Sequence, residues 1–413
     1  MTKITTRKLR QQDTTKKTSQ PKGMPCYASM EKAAKIAEYY GFSLLPKTEV
    51  TRHDMHVARQ LRCPMEQQSP FSKINTDELS AILHAYADKK LFGYQQPPMF
   101  YYESSLPREN EHSNPTSRQI TLDIIGSSKS ISEAALIHTA HTILTEEYKE
   151  SMVVELNSLG DRDSAIRFNR ELNNYYKKFS SELPAALRNL LKSDPSLVVT
   201  SDNPKAKELS ANAPQSISCL SEPSRTQFKE VLEFMETLDI PYRINPKLIA
   251  NRNIYYETVF VIRRTDADAD EEPCAIGFRY NPVSRKIGYK KEIPAARVVI
   301  CLPKAKIGPI TKTEIKKQKK AMFYFVHIGF EAKLKSLRTL ELLRRASLPV
   351  AYSLIKDTLT HQLTHAEQCA VPYILLMGQK ESMEHTVLVR ETRNSAQETV
   401  ALEELTGHLK RLR

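Results

Sequence analysis

FYFVHIG at 323–329, EAKLKSLRTLELLRRA at 331–346, PVAYSL at 349–354, LTHQLTHAEQCA at 359–370, PYILLMG at 372–378, HTVLVRE at 385–391 and VALEELTGHLKRL at 400–412 follow one another through the end of the chain. Short runs of β-branched and aromatic residues read as strands, and longer runs with apolar residues three and four apart read as helices. The resulting β-α-β-α-β-β-α order predicts a small α/β domain with a mixed sheet over 321–413.

Upstream of it lies KAKIGPITKTEIKKQKK at 304–320. There Lys304, Lys306, Lys312, Lys316, Lys317, Lys319 and Lys320 stand against the single acid Glu314. Residues 1–22 are similar, with Lys3, Arg7, Lys8, Arg10, Lys16, Lys17 and Lys22 against Asp13. These two segments carry nearly all of the formal charge of +13 in 413 residues. A disordered basic tail over 1–22 and a Lys-rich linker over 303–320 are expected, with a larger domain over 23–302 between them. Lysines placed like this suit a polyanion such as RNA, and they also simply keep flexible segments solvated.

Within 23–302 the pattern mixes both periods. Helices are expected at 29–40, ending at Gly41, at 76–90 with Thr76 as its cap, at about 131–148, over 161–192, and at 224–238. Strands are expected at 98–104, 118–126, 152–158, 256–264, 274–280 and 296–303, the last being ARVVICLP. No run of eighteen apolar residues and no secretory leader occurs, so no membrane span is expected. The six cysteines include no C-x-x-C pair, which suits reduced thiols in a cytoplasmic protein. There is no Walker loop, no G-x-G-x-x-G and no G-x-S-x-G. His361 and His365, like His138 and His141, share a helix face but bring no third ligand in sequence, so no metal site is expected.

The stretch ELNSLGDRDSAIRFNRELNNYY at 155–176 resembles the segment that follows the second class II motif of histidyl-tRNA synthetases. Residues 202–260 keep that family's order into the histidine-site strand. MFYYESS at 99–105 and RQITLDIIG at 118–126 are similar to its motif 2 strands, and PYILLMG and ETVALEEL to its anticodon-binding domain. The resemblance covers about 24–413. It implies an α/β (α+β) fold: a class II synthetase-like antiparallel sheet with flanking helices, then a C-terminal anticodon-binding domain. It also implies a homodimer and tRNA as partner.

The same resemblance locates the old chemistry, and there this sequence departs from the family. The arginine expected to clamp the α-phosphate falls on Ser105, with Arg108 as the nearby substitute. The Arg-Tyr-Arg-Gln-Phe run has become Asn114-Pro115-Thr116-Ser117-Arg118-Gln119. Arg-Gly-Leu-Asp-Tyr-Tyr has become Asn251-Arg252-Asn253-Ile254-Tyr255-Tyr256, which moves the arginine by one position. Of the Gly-Gly-Gly-Arg-Tyr-Asp signature, Ala275-Ile276-Gly277-Phe278-Arg279-Tyr280-Asn281 keeps one glycine. The Gly-Leu-Glu-Arg end of motif 3 is matched by Pro294-Ala295-Ala296-Arg297. Gln119, Asp123, Tyr255, Tyr256 and Arg279 remain as candidate ligand-binding residues, and Arg108, Arg118 and Arg297 as candidate catalytic cations.

The expectation is a catalytically impaired histidyl-tRNA synthetase-like protein that binds tRNA or structured RNA, its old site closed or reused to sense an amino acid or nucleotide. No cofactor is expected for that reading. The alternative is a divergent active histidine–tRNA ligase, which would use ATP and magnesium.

Overall fold

A computed structural model describes residues 28–45, 48–61, 69–88, 98–104, 118–201, 203–268, 271–302 and 321–413. The basic tail over 1–22, the lysines of 303–320, and Ser105 and Arg108 lie outside the described residues.

Strands β1 (Ser43–Leu44), β2 (Met99–Ser104), β3 (Arg118–Ile125), β4 (Met152–Ser158), β5 (Tyr242–Ile244), β6 (Tyr256–Arg264), β7 (Ala275–Arg279) and β8 (Ala295–Leu302) form one sheet, in the order β1-β2-β3-β8-β7-β6-β4-β5. The six central strands pair antiparallel, as expected. The sheet as a whole is mixed, because the short edge strands β1 and β5 run parallel to their neighbours. Single hydrophobic strands with helical connections reach an edge in that direction without a hairpin.

Side chains alternate across this sheet. Leu122, Ile124, Phe260, Val298 and Ile300 pack with the helices α1 (Ala28–Tyr39), α4 (Ile131–Tyr148) and α9 (Glu222–Thr237). Phe100, Ile125, Val259, Val261, Phe278 and Val299 fill the other face, beneath α2 (Arg52–Leu61) and α3 (Thr76–Ala87). α4 is buried along most of its length, from Ile131 to Leu144, because it is sandwiched between the sheet and its neighbouring helices. Its Ala-rich sequence (ISEAALIHTAHTIL) permits that close approach on all sides.

The connection from β4 to β5 holds the small helices α6 (Ala185–Ser193), α7 (Ser196–Val199) and α8 (Pro204–Ser210) after α5 (Arg162–Lys177), around a core of their own that includes Phe168, Leu172, Tyr176 and Leu187. The helix expected over 161–192 is therefore two helices. Pro184 starts the second and cannot sit in the interior of the first. α3 likewise begins one residue earlier than its capping was read: Asn75, not Thr76, accepts the backbone N–H of Asp77.

After the short α10 (Asn281–Lys286) and β8, the chain builds a second sheet of β9 (Phe323–His327), β10 (Val350–Tyr352), β11 (Tyr373–Met377), β12 (Thr386–Glu391) and β13 (Gln397–Ala401), in the order β10-β9-β11-β12-β13. It is mixed, with β10, β9 and β11 parallel and β12 and β13 antiparallel. Helices α11 (Phe330–Arg345), α12 (Leu359–Cys369), α13 (Gln379–Glu384) and α14 (Leu402–Arg411) pack around it. The sequence reading merges β13 into the final helix. Here Gln397–Ala401 pairs with β12 and the helix begins only at Leu402.

Candidate functional site

Asp123 and Arg297 stand directly opposite each other on β3 and β8. Both are essentially without solvent exposure. Arg297 Nε lies 2.9 Å from Asp123 Oδ1 and its Nη2 3.0 Å from Oδ2, a bidentate pair. Tyr280 donates its hydroxyl to Asp123 Oδ1 at 2.8 Å. Glu78, reaching in from α3, comes within 3.8 Å of Arg297 Nη1 and accepts the Tyr102 hydroxyl at 3.3 Å. The rings of Tyr102 and Tyr280 sit 5.7 and 5.5 Å from the guanidinium carbon. Burial opposes the charge on Arg297, but Asp123 more than offsets it, so the guanidinium is held even more firmly protonated than usual. Burial pushes both tyrosine hydroxyls well above their ordinary range, so they stay neutral donors.

Arg297 lies inside a strand that continues to Leu302, where the strand expected over 296–303 puts it. Of the other proposed cations, Arg118 opens β3 opposite Leu302, and Arg108 is outside the described residues.

Beside this pair the sheet face is aromatic. Phe278, with 1% exposure, packs 4.8 Å from the ring of Tyr255, 6.3 Å from Phe71 and 6.0 Å from Tyr280. Tyr255 donates its hydroxyl to the Phe71 carbonyl at 3.1 Å. Gln119, on the same face of β3, donates to the Cys301 sulfur at 3.3 Å. Arg297 and Tyr280 thus engage Asp123, the Phe71 carbonyl engages Tyr255, and Phe278 packs among the rings.

The remaining candidates point elsewhere. Arg279 follows Phe278 by one residue and so faces α4. There it grips both oxygens of Glu133 at 2.6 Å and the carbonyls of Ser127 and Lys129 at 2.8 and 2.9 Å. Tyr256 accepts the Arg162 backbone N–H at 2.6 Å, at the start of α5. Arg252 lies over the Phe168 ring at 4.9 Å, its three guanidinium nitrogens buried with no hydrogen-bond partner. Desolvation pulls it down to about 10.

Sequence reasoning missed Glu257. It follows the two tyrosines at a bulge in β6, with φ of 48° and 9% exposure. Its Oε1 accepts from Ser224 at 2.9 Å, while Oε2 is buried without a partner. Desolvation, aided by Asp161 and Glu133, raises it to about 7. Glu78 and Tyr280 were also missed as partners of the ion pair. Their contacts cross long sequence distances that no local pattern encodes. Among the described residues, no group of three or more His, Cys, Asp or Glu could hold a metal ion. None of their helices is long and apolar enough to cross a membrane.

Residues 324–412 match the model of an anticodon binding domain. Over 348 residues the chain is 26% identical to a histidine–tRNA ligase of Rippkaea orientalis, covering 81% of this chain and 78% of that one. A histidine–tRNA ligase of Fervidobacterium nodosum is 27% identical over 327 residues, 76% of this chain and 75% of that one. The chain is thus similar to histidine–tRNA ligases along about four fifths of its length, and its C-terminal part to anticodon binding domains. The fold agrees: the apo histidyl-tRNA synthetase of S. aureus superposes with a TM-score of 0.50 at 16% identity, covering 92% of this chain and 94% of the other. Within a histidyl-tRNA synthetase-like frame, the Asp123–Arg297 pair and the Phe278 cluster lie on the sheet face that α2 and α3 cover.

Proposed function

We propose that this protein is a member of the histidyl-tRNA synthetase family that binds tRNA or another structured RNA without charging it, as a cytoplasmic homodimer. One observation carries the reading. Residues that resemble the family's ligand-binding set are engaged within the chain, Asp123 and Arg297 in a bidentate pair and Tyr255 against the rings of Phe278 and Phe71. A substrate carboxylate or phosphate entering here would have to displace Asp123 from Arg297, and an imidazole would have to displace an aromatic ring. Both exchanges sacrifice buried contacts and gain little in return.

The domain division we favour is a synthetase-like core over 23–302, a basic connector over 303–320 and an anticodon-binding domain over 321–413. Lys304, Lys306, Lys312, Lys316, Lys317, Lys319 and Lys320 would supply sequence-neutral attraction to RNA phosphates, and base contacts would come from the C-terminal domain.

The test is histidine-dependent exchange between ATP and pyrophosphate, run beside an intact synthetase, together with tRNA binding at several salt concentrations. Background exchange with salt-sensitive tRNA binding is expected. Removing 303–320 should weaken binding and flatten its salt dependence.

A second reading is supported by the relatives, which are histidine–tRNA ligases along about four fifths of this chain. In it the protein is a divergent ligase whose cations are Arg108, Arg118 and Arg297, acting on ATP with magnesium. Exchange well above background would establish that reading and end the first. If exchange is absent but histidine or a nucleotide raises the melting temperature, the face serves as a sensor.

A further inference from the structure

At the solvent edge of the α2–α3 cover, His53 and His84 come together. Their ring centroids are 5.4 Å apart with planes inclined by 44°. His84 is held from behind: its Nδ1 lies 2.5 Å from Asp54 Oδ1. Asp54 has no solvent exposure, and its second oxygen accepts the backbone N–H of Thr51 at 2.8 Å and its hydroxyl at 2.6 Å. With a carboxylate oxygen at Nδ1, the hydrogen bond assigns the proton to that nitrogen. The Nε2 lone pair is then left on the other side of a ring that is 23% exposed. His53, beside Asp54 at the start of α2, is exposed.

We propose that His53 and His84 form a two-imidazole site for a borderline divalent transition ion such as Cu2+, Ni2+ or Zn2+, clipping α2 to α3. A carboxylate that fixes the tautomer and orientation of a histidine is the arrangement that accompanies imidazole ligation of metals. Imidazole prefers these ions over Mg2+ or Ca2+. No third His, Cys, Asp or Glu joins the pair among the described residues, so water completes the coordination. The site is therefore one of modest affinity that adds to a folded cover rather than creating it. An ion held here stabilises the folded state by mass action, and with it the helix that carries Glu78 to Arg297. The inference does not depend on whether the protein charges tRNA.

The experiment uses the full chain, stripped of metal by a chelator and titrated with Cu2+ and then with Zn2+ by calorimetry. One ion per chain is expected, with affinity falling about tenfold or more in His53→Gln and in His84→Gln. Asp54 is a positioning residue, and Asp54→Asn should weaken binding while both imidazoles remain. His361→Gln should bind like the unaltered chain, because the His361–His365 helix pair has its second ring committed to the Tyr324 hydroxyl at 2.9 Å. His53 is exposed, so His53→Gln folds and decides the matter even if His84→Gln does not. Equal binding in His53→Gln would mean adventitious surface binding only. That result, or no binding of either ion, overturns the proposal.

Discussion

A guanidinium and a carboxylate buried face to face are hard to separate and easy to replace together. If Asp123 is changed to Ala, Arg297 keeps its charge in a buried site and loses both hydrogen bonds. That should cost about 3–5 kcal/mol in urea-melt stability, whereas Asp123→Leu combined with Arg297→Met should recover most of it. An equally damaging double variant would mean that the pair does more than satisfy itself, and would favour a site still used by a ligand. Glu257 makes the opposite prediction for pH. Its folded value of about 7 stands above the ordinary 4.5, so the folded state holds a proton that the unfolded chain has released. The stabilisation is complete below about 4.5 and is lost as pH rises towards 7, about 3 kcal/mol in all. In Glu257→Gln the stability difference between pH 5 and pH 8 should shrink by an amount of that order. An unchanged slope would show that the carboxyl is ionised throughout. Much of this site was legible one residue at a time: Asp123, Tyr255 and Arg297 could be picked from family-like stretches. Their closure on one another was not legible, because Glu78, Asp123, Tyr280 and Arg297 meet only through strand register and helix packing. Arg279 shows a different failure. It was grouped with its neighbours by sequence adjacency, though the two-residue period of a strand already puts it on the face opposite Phe278.

Strands and helices with strong periodicity were legible to within a residue or two. RQITLDII, YETVFVIRR and the α9 segment all occupy the expected ranges. The errors fall where tertiary pairing overrides local preference. QETVA becomes strand β13 because β12 offers it a partner, although its continuation is strongly helical. Gly277 on β7 illustrates a constraint that belongs to the element. The sequence presents it as the survivor of a glycine-rich signature that once let the backbone approach a substrate. In the fold it faces the other way, and a Cβ there would lie 2.0 Å from the Phe260 ring. Gly277→Ala should therefore destabilise by about 1–3 kcal/mol through overpacking against α4's side of the sheet. Gly277→Ala with Phe260→Leu should regain part of that loss. If Gly277→Ala were harmless to folding yet abolished a ligand-dependent shift in melting temperature, the residue would be guarding a pocket instead.

At the scale of the molecule, the C-terminal domain is docked on its own core through contacts spanning hundreds of residues. Glu341 on α11 accepts the Tyr40 hydroxyl from the end of α1 and binds Arg344 and Arg345 at 2.7 and 2.5 Å. Arg344 reaches across to Glu146 on α4 at 2.6 Å. Asp357 receives both Lys129 of the core and Lys333 of α11. Phe234 of α9 packs 6.2 Å from Phe330, and one hydrophobic cluster runs through both sheets' helices. None of this was legible in the sequence, because the partners lie hundreds of residues apart and no local pattern marks them. Docking of this kind, apolar at its centre and ionic at its rim, couples the two parts energetically. A single calorimetric transition is therefore expected at neutral pH. Glu341 should also set an acid limit. Burial alone would raise its carboxyl, but Arg344, Tyr40 and Arg345 pull it down to about 2. Its contribution is thus full above about 4.5 and drains away as pH falls towards 2, by about 2–3 kcal/mol. In Glu341→Gln the transition should broaden or split at neutral pH, and acid should then separate the domains no further. Two well-resolved transitions in the unaltered chain at pH 7 would show instead that the domains unfold independently, and the anticodon-type domain would then be free to reorient.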